Sequence, residues 1–200
     1  MKDKLTQTLK ENLARVESLV STYESHPDAQ GRGRKAAAVL DILRAAVVLL
    51  HASLEDVLRG VAAWKLPGAP KAVLDDIPLI GATSATKRLA LGDLVAHRGK
   101  SIDTLIKASV ESYLQRSNYN STGEIAKLMD GVGVDVSKVN GRFADLEDRM
   151  QRRHQIVHRA DRKSQVSGSG DHTVRAINKH IVRTWAAAVQ QFGDDLLGEV

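Results

Sequence analysis

"KAAAVLDILRAAVVLLHASLEDVLRGVAAW", residues 35–64, is the stretch that settles the fold class. Val39, Leu40, Leu43, Val47, Leu50, Leu54, Val57, Leu58 and Val61 recur at three- and four-residue steps, the spacing of one helix face. The pattern predicts a long core helix over about 35–64. Its longest apolar run, "AAVVLL" at 45–50, suits a core helix, because a membrane span needs roughly 18 or more apolar residues. Beside the stripe run His51, Glu55 and Arg59, each four apart and so on one face. They read as a salt-bridge ladder on the helix surface, or as support for a site nearby.

The same periodicity recurs on either side. Leu5, Leu9, Leu13, Val16, Leu19, Val20 and Tyr23 predict an N-terminal helix over 3–24, and "SHPDAQGRGR" breaks it. The segment from Lys65 to Ser101 is irregular, with a short helix and a long connection expected. A helix follows from Ser101 to about Gln115, then a short one, "GEIAKLMDGV", capped by Ser121 or Thr122. The next helix spans about 141–163; "SQVSGSGD" at 164–171 is a turn, and the last helix covers about 172–197. No period-two strands, repeats or domain boundary stand out. The expectation is a single all-α domain over 1–200, a bundle of four or five main helices with short extra ones.

Composition narrows the chemistry. Aromatic residues are only 4% of a chain that is 42% hydrophobic, so aliphatic side chains build the core. The absence of cysteine excludes disulfides and thiolate metal sites and suits a reducing, cytoplasmic setting. "MKDKLTQTLKENL" has no apolar h-region, so it is not read as a signal peptide, and no membrane partner is expected. The formal charge of +5 is compatible with an anionic partner.

"RRHQIVHRAD", residues 152–161, concentrates the polar chemistry. With Met150 at zero and about 100° per residue, Phe143, Leu146 and Val157 fall within roughly 40° of it, an apolar stripe. His154 then lies near +40°, Arg153 near −60° and His158 near +80°, all approximate wheel positions that flank or interrupt that stripe. Between Arg149 and Lys163 there are six Lys/Arg residues and one acid, Asp161.

Several chemistries compete for this helix. Histidines four apart can share a zinc ion, but Gln155 stands where a metalloprotease needs its glutamate, and no third ligand beyond His172 or His180 offers itself. No metal or other cofactor is therefore expected. A solvated basic face is the plainest alternative. Phosphate binding by Arg149, Arg152, Arg153, Arg159 and Arg162 is a third. The last is metal-independent RNA cleavage, for which histidine moves protons near neutral pH and arginine holds phosphate oxygens. Gly99-Lys100-Ser101 ends like a P-loop, but Leu94 occupies the position of its first glycine, and Ser101 is explained as a helix cap.

Arg153, four residues and then His158 resembles the R-x4–6-H motif of HEPN domains, and "RRHQIVHRADR" is similar to their RiboL-PSP-HEPN type of RNase. "AAVVLLHASLEDVLRG" and "NYNSTGEIAKLMDGVGVD" resemble that family's second helix and the segment before its motif helix, so the likeness spans roughly 35–197. The resemblance implies a HEPN-like bundle that forms a homodimer with a composite site. It implies metal-free endoribonuclease activity leaving 2′,3′-cyclic phosphate and 5′-hydroxyl ends, in a toxin or defence setting with an antitoxin or other protein partner. Carried over, Arg153 holds the scissile phosphate, His158 moves the proton and His154 is the polar auxiliary. Arg152, Arg159 and Arg149 would extend the phosphate track, with Glu55 as a supporting acid. Some members of the family do not cut RNA, so a non-catalytic module that binds protein or RNA is the alternative.

Overall fold

Helix-forming periodicity is realised along the chain. The structure, a computed structural model, describes residues 1–30, 36–81, 90–162 and 174–200. Its helices are α1 (Lys2–Ser25), α2 (Pro27–Gln30), α3 (Ala37–Lys65), α4 (Lys71–Leu74), α5 (Ile102–Leu114), α6 (Thr122–Gly131), α7 (Phe143–Arg159) and α8 (Lys179–Glu199). Among the described residues the only β pairing is an isolated antiparallel bridge between Arg162 and Val174, so the fold is all-α. The expected turn at 164–171, the glycine break at 31–34 and the ligand candidate His172 lie outside the described residues.

The chain divides into two compact units, one of Met1 and Leu58–Val136, the other of Lys2–Val57 and Ser137–Val200. In the first, Ser101 caps α5 as its sequence position suggested, accepting a hydrogen bond from the Thr104 N–H at 3.1 Å. Ser121 caps α6 in a capping box: its hydroxyl accepts from the Glu124 N–H at 3.3 Å, and Glu124 Oε2 accepts from the Ser121 N–H at 3.0 Å. Leu105, Val110, Leu114, Ile125 and Met129 form the buried side of these helices.

The second unit carries the motif helix. Leu9, Val16 and Val20 of α1, Leu43, Val47, Leu50 and Leu54 of α3, Leu146 and Met150 of α7, and Val189, Phe192 and Leu196 of α8 are its core. By length and composition α3 would also meet the needs of a membrane span, and half of that apolar window is buried inside the fold. α8 lies along α1 so closely that a Cβ on Gly193 would collide with the Leu9 side chain. Arg183 of α8 grips two α1 carboxylates, Glu17 and Glu24, and the Phe143 and Phe192 rings meet at 6.2 Å between α7 and α8.

Two helix limits differ from the sequence reading. α8 begins at Lys179 rather than near 172, because the Asn178 side chain caps it by accepting from the Ile181 N–H at 2.9 Å. α7 runs from Phe143 to Arg159 instead of 141–163. Ala160 and Asp161 both adopt left-handed backbone, with φ of 48° and 58°, and the Asp161 N–H donates to the Gln155 carbonyl at 3.0 Å. That bond is of the kind that closes a helix C-terminus.

Candidate active site

The last two turns of α7 sort their polar residues by direction. Arg149 points into the core of its unit and is 0% exposed. Its Nη1 lies 3.1 Å from His51 Nδ1, and His51 is itself 2% exposed. His51 Nε2 lies 3.4 Å from Glu55 Oε1 one turn along α3. Burial pushes the Arg149 guanidinium down to about 10, with the charge of Arg153 adding to the effect and Glu55 opposing it. It therefore keeps its charge at neutral pH. Arg149 is thus not part of a surface phosphate track, which corrects the sequence reading. In the polar line of α3, His51 is interior with Glu55 Oε1 3.4 Å from its Nε2, and Arg59 donates to the Ser117 carbonyl at 2.7 Å.

Arg152 is also taken up internally. Its Nη2 donates to Asp161 Oδ2 at 2.7 Å and to the carbonyls of Arg175 and Ala176 at 3.2 and 3.0 Å. Asp161 is 0% exposed and its Oδ2 also accepts from Arg44 Nε of α3 at 2.8 Å. Arg44 further donates to the Arg175 carbonyl at 3.1 Å, and the Arg175 N–H donates to the Asp161 carbonyl at 2.8 Å. Arg175 also donates to the Gln155 side chain. One buried carboxylate thus ties α3, the end of α7 and the approach to α8 together. The sequence reading registered Asp161 only as the single acid among the bases and missed Arg44 and Arg175. The available signal was Arg44 next to Leu43 in an otherwise apolar stripe: a charge in a core register needs a buried counter-charge.

Most of the remaining motif residues face outward. His154 and His158 are exposed, with ring centroids 4.6 Å apart. Arg159 is exposed beside them, Arg153 is half-buried, and Val157 between the histidines is 47% exposed. An α-helix separates Arg153 and His158 by about 7.5 Å of rise and roughly 140° of rotation. His158 and Arg159 occupy the last turn of α7, with His154 one turn before. The arrangement supplies two proton-transfer groups in mutual contact and cationic side chains on the same two turns. Among the described residues no group of three or more metal-ligating side chains occurs, and His154 and His158 stand without a third ligand. Compared with family models, curated proteins and solved structures, the chain matches none.

Proposed function

We propose that the chain is a cytoplasmic, metal-independent endoribonuclease of the HEPN type, acting as a homodimer in a toxin or defence role. The observation that carries this reading is the exposed His154–His158 pair at 4.6 Å. Arg149 and Arg152 on the same helix are sequestered, so the histidines are the prominent polar groups left to a substrate there. In the reaction, the RNA 2′-oxygen forms a bond to the adjacent phosphorus and the bond from phosphorus to the 5′-oxygen breaks. The 2′-hydroxyl proton passes to a base, and an acid protonates the departing 5′-oxygen. His158 is assigned the proton transfer, His154 the auxiliary role, and Arg153 the scissile phosphate, whose growing charge its guanidinium stabilises. A second copy of α7 in the dimer would complete the cleft.

The test is incubation of purified protein with RNA in EDTA. Cleavage that persists there and disappears in His158→Ala and Arg153→Ala supports the assignment. Cleavage unchanged in His158→Ala removes it. The exposed apolar Val157 amid polar neighbours favours a second reading, a non-catalytic docking helix. That reading predicts no cleavage and a stable complex with a protein or RNA partner.

A further inference from the structure

α7 carries one buried polar contact that the assigned reaction does not use. A guanidinium carries only N–H donors, so the 3.1 Å contact between Arg149 Nη1 and His51 Nδ1 requires a lone pair on the imidazole. Nδ1 is then unprotonated and the ring proton is on Nε2, which lies 3.4 Å from Glu55 Oε1 without a hydrogen bond to it. A protonated His51 would turn an N–H against the guanidinium. Arg149 Nε and Nη2 make no hydrogen bond among the described residues, so Nδ1 is the acceptor that fixes how this 0% exposed side chain lies. Arg149 stands one helical turn before Arg153, on the same side of α7.

We propose that His51 is a positioning residue for the α7 site: by accepting from Arg149 it anchors that helix to α3 and sets where Arg153 and His158 stand. The inference rests on the RNase reading above. His51 touches no substrate and acts through Arg149. A shift of about 1 Å in groups held this way lowers turnover by roughly 10²-fold.

Three variants separate this role from generic core packing. Asparagine places an acceptor near the position of Nδ1, glutamine places an amide near that of Nε2, and leucine fills the space without polarity. RNA cleavage in EDTA is measured for His51→Asn, His51→Gln and His51→Leu, with kcat and KM resolved and melting temperature recorded. His51→Asn is expected to keep kcat within about threefold, while His51→Gln and His51→Leu lose roughly 10²-fold in kcat, more than any change in KM. Imidazole nitrogen shifts in the folded wild-type protein should report the neutral Nε2–H form of His51. Wild-type cleavage that His51→Leu retains, or that His51→Asn loses as fully as His51→Leu, overturns this inference alone, as does a protonated His51. No cleavage by the wild-type protein overturns the RNase reading and this inference with it.

Discussion

Replacing Asp161 with alanine tests whether the buried carboxylate holds the end of α7. The substitution deletes an acceptor bonded at 2.8 Å to Arg44 and 2.7 Å to Arg152, with Asp161 itself 0% exposed. Removing one partner of a buried ion pair costs about 3–5 kcal/mol, because the other charge is left uncompensated. Both arginines keep other acceptors: Arg44 retains Asp41 at 2.9 Å and the Arg175 carbonyl, and Arg152 retains the carbonyls of Arg175 and Ala176. The loss therefore falls near the lower end, about 3 kcal/mol. The φ of 58° at this position adds a backbone effect. Glycine relaxes that strain, so Asp161→Gly should lose about 1 kcal/mol less than Asp161→Ala.

Urea and thermal unfolding followed by far-ultraviolet circular dichroism measure both variants. For a chain of this length, a loss of about 3 kcal/mol lowers Tm by roughly 6–12 °C. Hydrogen exchange should accelerate at the amides of Gln155 to Asp161, where the helix end is closed by bonds to the Gln155 carbonyl. Because the pair is buried, added salt should leave the loss nearly unchanged. A loss below about 1 kcal/mol, the size of a surface ion pair, would refute the reasoning. Equal losses for alanine and glycine would refute its backbone part.

Four further outcomes follow from named contacts. Hydrogen bonds from Arg183 first and Lys179 second hold the Glu24 carboxyl at about 2 against an ordinary 4.5, so its contribution is complete above about 4.5 and is lost as pH falls toward 2. Urea unfolding of wild type and Glu24→Gln should show a stability gap at neutral pH that closes by about pH 2; a gap unchanged in acid contradicts this. Gly193→Ala forces a methyl group against buried Leu9, and overpacking of roughly 2 kcal/mol exceeds the roughly 1 kcal/mol gained in helix propensity. Its Tm should fall, and Leu9→Val should restore part of it. Ser121→Ala removes the capping box of α6 and should cost about 1 kcal/mol in chemical unfolding. Arg159→Ala should weaken RNA binding and lower the magnitude of its log-log salt slope by roughly 0.7 without moving Tm, whereas Arg152→Ala should lower Tm.

The apolar periodicity of α1, α3 and α5 was legible because each of these stripes is buried whatever the detailed packing. The caps at Ser101 and Ser121 were legible because their bonds are local, within three residues. The end of α7 was not. No glycine or asparagine marks it; Ala160 and Asp161 take the left-handed turn under a bond network reaching residues 44 and 175. The direction of Arg149 was hidden for a related reason. A helical wheel treats an arginine as an outward residue, but burial depends on the facing helix, and α3 presents His51 and Glu55 there. Val157 errs the other way: it shares the apolar stripe with Leu146 and Met150, yet sits in the last turns and stays 47% exposed.

These directions change what the basic character of α7 means. Six Lys/Arg residues against one acid between Arg149 and Lys163 suggest a broad phosphate track when counted along the chain. Folding removes Arg149 to the interior and spends Arg152 on Asp161, whose carboxylate also answers Arg44. Arg159 at the end of the helix and Arg162 just beyond it stay exposed, while Arg153 is half-buried with contacts of its own. Each phosphate neutralised on a single strand contributes about 0.7 to the salt slope. Exposed Arg159 of one protomer's α7 then accounts for a slope of about 0.7, and two copies of α7 engaging one RNA would add about 1.4 through it. Buried cations and exposed imidazoles thus separate by place: Arg149 and Arg152 hold the helix from inside, and under the proposed reading the residues left at the surface are the ones that would meet RNA.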